Sequence, residues 1–275
     1  MAITAADVSK LRNITGAGMM DCKRALEEAN GDFDQAIDTI RKKGQAIANK
    51  RADREASEGV VLAKISDDNK KGAIVVLNCE TDFVAKNEKF IALTQSILDE
   101  GLNNNASTLE NLKDLKLNGT AIKDVVVEQI GVIGEKLDLS YYDVVKAEYV
   151  MSYIHPGNKL ATVVGFNLPD VEYQVARDVA MQIAAMSPVS VDSNSVPKEV
   201  VEKELEIGKE QARLEGKPEA MLDKIAQGRL AKFFKESTLL EQAFVKDSKI
   251  TVREYLKQQN KDLTVTTFRR FGLSN

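Results

Sequence analysis

Residues 72–77, Gly-Ala-Ile-Val-Val-Leu, are a short apolar run rich in β-branched side chains. Such a run reads as a buried strand. Soon after it the period changes: from Glu88 to Leu98, Phe90, Leu93, Ile97 and Leu98 recur at the spacing of one helix face. The junction is Asn78-Cys79-Glu80-Thr81-Asp82-Phe83-Val84-Ala85-Lys86-Asn87. Thr81 can cap a helix there, and Asp82 suits the positive end of that helix, which gives the acid an ordinary structural explanation. Phe83 has two readings from spacing alone. It can staple the helix to the sheet, or it can stand out as an aromatic wedge for a partner.

The order strand, turn, strand, connection, helix occurs twice. Val60–Ile65 and Lys71–Asn78 form a hairpin around Asp67-Asp68-Asn69, and the junction and its helix follow. A polar stretch from Asn103 to Asn118 precedes a helix carrying Ile122, Val125, Val126 and Ile130, which ends at Ile133-Gly134. Leu137–Ala147 reads as a strand. Then Glu148–Ile154 and Lys159–Phe166 form a hairpin turning at His155-Pro156-Gly157-Asn158, and Val171–Met186 is a helix with Val175, Val179, Ile183 and Ala184 on one face. The separation of roughly eighty to ninety residues predicts a duplicated α+β core. In the second copy Asn167-Leu168-Pro169-Asp170 stands where the first has Thr81-Asp82-Phe83, so only the first offers an acid-aromatic pair.

Residues 1–54 read as three helices. Thr4 and Asp7 form a capping box before Val8, Leu11 and Ile14; Gly16-Ala17-Gly18 breaks the chain; Met20, Ala25, Leu26 and Ala29 face inward on the second helix. Asp32 and Gln35 start the third, with Phe33, Ala36, Ile37 and Ile40. Met19 and Met20 are adjacent and cannot both enter one small core, so one of them offers a soft surface to a partner. Arg41, Lys42, Lys43, Lys50, Arg51 and Arg54 either solvate a helix and linker or touch RNA; the absence of stacking aromatics favours the former. The composition turns polar from Glu55. The expected units are 1–54, 55–147 and 148–275. Within the last, residues of about 197–235 form two charged helices around Gly216-Lys217-Pro218, an antiparallel coiled-coil hairpin inserted in the core. It either projects or folds onto the sheet. Val201, Leu205 and Ala212 can face Leu222, Ile225 and Phe233. Thr251 and Glu254 open a last helix with Tyr255 and Leu256, and Leu263–Phe271 closes as a strand.

Net charge of −4 and a pI near 5.4 argue against a general nucleic-acid binder. Cys22 and Cys79, the two cysteines, fit packed thiols in a reducing compartment and form neither a disulfide framework nor a zinc site. The start of the chain lacks the basic and apolar regions of a signal peptide, and no apolar run approaches the roughly 20 residues that span a bilayer. A cytoplasmic protein is expected. His155, the only histidine, lies in a turn without a nucleophile or metal-site companion. Gly16-x-Gly18 lacks both a preceding strand and a following Gly-Lys-Ser/Thr, so it is a helix break and not a phosphate loop. Neither an enzyme, nor a bound cofactor or metal, nor direct nucleotide binding is expected.

Two motifs carry a resemblance. Thr81-Asp82-Phe83-Val84-Ala85-Lys86-Asn87, and before it Thr15-Gly16-Ala17-Gly18-Met19-Met20-Asp21-Cys22-Lys23-Arg24-Ala25-Leu26, resemble signatures of bacterial elongation factor Ts, the nucleotide-exchange factor for the GTPase elongation factor Tu. The resemblance extends over almost the whole chain. It implies a ubiquitin-associated-like bundle at the N-terminus that grips the GTPase domain, paired core subdomains and a coiled-coil arm used against Tu. It implies that Thr81, Asp82, Phe83 and Val84 act at the magnesium site of Tu, with Met19, Met20, Lys23, Ile133, Gly134 and His155 as further partner contacts. Two departures stand out: Gln242-Ala243-Phe244-Val245 replaces Gln-Pro-Phe-Val, and the further C-terminal helix of many members has no counterpart before Asn275. Two competing readings are an RNA-binding translation factor, resting on the basic stretch, and an adaptor for ubiquitin-like partners, resting on the helical module.

Overall fold

A computed structural model describes residues 3–273. Thr4 caps α1 (Ala5–Thr15): its hydroxyl accepts the Asp7 amide at 3.2 Å, and the Asp7 carboxylate accepts the Thr4 amide at 3.0 Å. α2 (Met19–Glu28) and α3 (Phe33–Lys50) follow. Val8, Leu11, Cys22, Ala25, Leu26 and Ala36 close one small core. Met20 is not part of it. At 64% exposure it faces solvent beside Met19, and Ile14 is likewise exposed, because Cys22, Ala25 and Leu26 already fill the inward face of α2.

The second half of α3 leaves this bundle and packs elsewhere. The core begins with β1 (Glu58–Ile65) and β2 (Lys71–Cys79), antiparallel with Glu58 opposite Cys79. Next come α4 (Asp82–Ala85), α5 (Glu88–Asn103), α6 (Leu109–Asp114), a small hairpin of β3 (Lys116–Leu117) and β4 (Thr120–Ala121), and α7 (Ile122–Ile133). The polar stretch after Asn103 is therefore structured: Thr108 caps α6, and Leu112 is its one fully buried side chain. β5 (Asp138–Lys146) pairs with β2 and completes the sheet β1-β2-β5. α3 lies against α7, where Gly44 and Gly131 meet so closely that a Cβ on Gly131 would stand 2.7 Å from the Gly44 Cα.

The second half repeats the plan with β6 (Tyr149–Ile154), β7 (Leu160–Phe166) and α8 (Tyr173–Met186). α9 (Lys198–Leu214), α10 (Leu222–Ser237), β8 (Ala243–Phe244), β9 (Asp247–Thr251), α11 (Val252–Gln259) and β10 (Val265–Gly272) follow, giving the sheet β10-β7-β6. The two sheets meet face to face through Val61, Ile74 and Val76 on one and Val150, Ala161 and Val163 on the other, all fully buried. Each such Val or Ile contributes about 1.5–3 kcal/mol of burial. Phe90, Ile97, Val126 and Ile130 cover the outside of the first sheet; Val175, Val179, Ile183 and Leu239 cover the second. The layers run helix, sheet, sheet, helix, a mixed α+β architecture.

Backbone bonds show the duplication. The Asn158 carbonyl, at the tip of the second hairpin, accepts the Val61 amide of β1 at 2.7 Å. The Asn69 carbonyl, at the tip of the first, accepts the Val150 amide of β6 at 2.7 Å. Both asparagines have φ of 55°, a left-handed conformation Asn tolerates. Each copy thus covers the other's edge strand with its turn, at equivalent positions about ninety residues apart.

α9 and α10 pack against each other and not on a sheet. Gly208 and Ala212 meet Leu222, Ala226 and Leu230 in a narrow seam, with Ile225 and Phe233 only half-buried. Arg229 crosses between the helices to Gln211 and Glu215 at 2.8 and 2.7 Å.

Candidate functional site

α4 is one turn long, and the sides of that turn differ sharply. Ala85 is buried and Val84 packs on the first sheet's outer core. Phe83, the adjoining residue, is 82% exposed. The staple reading of Phe83 is thereby excluded. Asp82 also faces outward and pairs with Lys86 at 2.6 Å. That hydrogen bond, aided by the charge of Lys159, holds the Asp82 carboxyl below its usual range. Lys159 itself bonds Glu58 at 2.8 Å. It follows His155 in the second hairpin, so that hairpin reaches the same end of the molecule. There His155 Nδ1 lies 3.0 Å from the Tyr153 hydroxyl, on the surface.

The base of the turn is held by acids that spacing did not single out. The Thr81 hydroxyl donates to Glu135 Oε1 at 2.7 Å, and the amides of Glu80 and Thr81 donate to Glu135 Oε2 at 3.1 and 3.0 Å. The Val84 amide in turn donates to Thr81 Oγ1, at a long 3.5 Å. Glu135 reaches this position because Gly134 ends α7 in the left-handed region, φ 79°, where a residue with a Cβ is disfavoured. Ile133 packs its side chain on the first core. The α1–α2 junction approaches the same end: Val132 lies 4.0 Å from where a Cβ on Gly16 would stand. Thus Glu135, just after Ile133-Gly134, holds the base of the 81–84 turn, and Val132, just before them, faces the α1–α2 junction. Lys23 is exposed and meets Glu27 at 3.8 Å.

Glu80 joins this base to the segment after α3. Its carboxylate accepts Arg51 at 2.7 Å, Arg54 at 2.9 Å and the Lys136 amide at 2.6 Å. Burial works to raise its pKa, but those three donors pull it down to about 2. A depressed carboxylate stabilises the fold above its unfolded pKa and stops doing so as the pH falls through the folded one. The expected window runs from about pH 4.5 down to 2. Glu80→Gln should cost about 2 kcal/mol at neutral pH, allowing for the exposure of Arg54. Thermal melts from pH 7 to 2 check this: the gap between variant and parent closes across that window.

Four of the six cations in the basic stretch are paired with acids. Arg41 bonds Glu128 at 2.6 Å, Lys43 bonds Asp21, and Arg51 and Arg54 share Glu80. Burial, then the charge of Glu135, pushes the Cys79 thiol up to about 12, and its Sγ donates to the Thr81 carbonyl at 3.2 Å. A thiol so held is no nucleophile. Among the described residues no group of His, Cys, Asp and Glu is arranged to hold a metal ion, and no helix is long and apolar enough to cross a membrane.

The model of the family described as Elongation factor TS matches residues 80–275, beginning at the acid beneath the turn. The chain belongs to the elongation factor Ts family. Proteins named Elongation factor Ts from Azobacteroides pseudotrichonymphae and Porphyromonas gingivalis are each 54% identical to it, over 100% of this chain and 99% of theirs. The one from Amoebophilus asiaticus is 51% identical over 98% of both chains. This is a family of translation elongation, and in this member the family model covers the turn, β5 of the first sheet, the whole second sheet and the α9–α10 pair.

Proposed function

We propose that this chain promotes release of GDP from elongation factor Tu by inserting the Asp82-Phe83 turn near the magnesium site of that GTPase. The observation that carries the reading is Phe83: an aromatic side chain 82% exposed on a turn whose other face is buried and whose base is anchored. Leaving a ring in water forfeits burial worth about 1.5–3 kcal/mol, a cost recovered on a partner. A GTPase holds GDP through phosphate-cradling amides and a magnesium ion bridging phosphate and protein oxygens. A partner that binds better when those contacts are distorted weakens GDP, and GDP weakens that partner by the same factor. The chain acts through binding, without a cofactor of its own and without forming a covalent intermediate.

In this reading Thr81 and Val84 shape the turn, Asp82 supplies charge beside the wedge, and Met19, Met20 and Lys23 on α2 form a second contact. Ile133, Gly134 and His155 border it. The first three helices serve as the ubiquitin-associated-like module, residues of about 197–235 as the coiled-coil arm, and 55–147 and 148–275 as the paired core units, in a cytoplasmic protein. The RNA-binding alternative is less favoured, since Arg41, Lys43, Arg51 and Arg54 hold carboxylates. The test is binding to cognate Tu measured in both nucleotide states. Tight capture of the nucleotide-free GTPase, reversed by GDP, is expected; equal affinity for both states would refute the coupling. Replacing both Met19 and Met20 by Ser should weaken capture about tenfold, read by the same titration.

A further inference from the structure

We propose that Glu135 is a positioning residue for Phe83, holding the wedge in its presenting direction before any partner arrives; this rests on the exchange reading above. Phe83 makes almost no contact of its own, so its direction is that of the α4 backbone. α4 has four residues, far below the length at which a helix holds itself. Its inward anchors are Val84 and Ala85, and these fix position better than rotation. Its end runs into α5, where Asn87 donates its amide to the Val84 carbonyl and caps that helix, and its start is held separately. There one carboxylate takes two successive amides and the Thr81 hydroxyl, and that hydroxyl receives the Val84 amide. Charge-assisted bonds of this kind are about twice as strong as neutral ones.

The restraint is reciprocal. Glu135 holds the amides of residues 80 and 81, while Glu80 holds the amide of Lys136 at 2.6 Å, so two loops over fifty residues apart in sequence clasp each other by their backbones. Lys136 Nζ adds bonds to the carbonyls of Ala52 and Arg54 at 2.7 and 2.8 Å. Both Glu135 oxygens are occupied within the chain, which leaves the side chain to act through the turn rather than on a partner directly. Holding a recognition element in its bound direction raises productive encounters without adding any contact.

The geometry also predicts which replacement is tolerated. Gln in place of Glu135 keeps one oxygen to receive the two amides, and its NH2 can donate to the Thr81 hydroxyl once that hydroxyl turns. Ala keeps none of these bonds. GDP release from cognate Tu is therefore measured with the full chain carrying Glu135→Ala or Glu135→Gln, each alone and combined with Phe83→Ala. Amide exchange of Thr81 and Val84 is followed in the free variants. Expected are a loss of about tenfold in maximal release rate for Glu135→Ala, about twofold for Glu135→Gln, and no further loss from either on the Phe83→Ala background. Faster amide exchange at Thr81 and Val84 in Glu135→Ala, with the rest of the fold protected, is expected alongside. An additive loss on the Phe83→Ala background, or unchanged exchange at those amides, would overturn the positioning role while leaving the exchange function intact. If the parent chain itself fails to accelerate release, the functional reading falls, and the amide data then show the clasp as a purely structural one.

Discussion

Phe83→Ala is expected to slow chain-stimulated GDP release from Tu at least about tenfold while leaving thermal stability within about 0.5 kcal/mol of the parent. The two halves of that expectation come from one fact, the 82% exposure of the ring. Truncating a side chain that touches little removes little from the fold, and surface changes away from special features usually fall within about 0.5 kcal/mol. An aromatic anchor at an interface behaves otherwise, commonly costing about 2 kcal/mol or more on truncation, and about 1.4 kcal/mol is already tenfold. A stopped-flow release assay and a melting curve on the same variant separate the two. Loss of rate together with loss of stability would place Phe83 in the fold after all. Retention of both would move the source of exchange to α2 or to the second half of the core.

Gly131→Val is expected to destabilise the chain by about 3 kcal/mol and to free the second half of α3 from α7. Two effects oppose one another at this crossing. Replacing a helical glycine by alanine favours the helix by about 1 kcal/mol. Against that, a Cβ on Gly131 would lie 2.7 Å from the Gly44 Cα, which is backbone and cannot swing aside as a side chain would. Overpacking of that kind costs about 1–3 kcal/mol. Gly131→Ala therefore loses about 1 kcal/mol, and Val, with its branched carbons and poorer helix propensity, reaches the upper end. Gly44→Ala is the internal control. Its Cβ would lie 3.3 Å from the Val127 carbonyl, a conflict small enough for the propensity gain to offset, leaving it near neutral. Denaturant unfolding of the three variants checks the order. The consequence for function is a displaced α2, since α3 carries the bundle onto the core.

Much of this architecture is written in local periodicity. The change from a β-branched run at 72–77 to a helical stripe at Phe90, Leu93 and Ile97 is decided by neighbours a few residues apart. So is the capping by Thr4, Thr81 and Thr251. The repeated hairpin was legible for the same reason. What spacing could not decide was rotation. Met20 and Phe83 both sit in the first turn of a helix, and whether such a residue enters the core depends on how the helix is rolled on its neighbours. Both face out. Nor could it find Glu80 and Glu135, whose roles come from loops brought together by the closing of the first sheet. A glutamate next to a helix-ending glycine carries no local mark of that. The Gly44–Gly131 contact is hidden similarly, for a glycine inside a helical pattern reads as a weak spot until its partner is known. Only the pair explains why Gly131 carries no side chain.

Whether this chain loosens GDP on a GTPase is read from the rate at which fluorescent GDP leaves cognate elongation factor Tu as the native chain is titrated in. The expected rate rises with chain concentration and saturates, with GDP in excess competing the chain off again. A release rate that stays at its spontaneous value across the titration, with the chain folded and the Tu active, would contradict it.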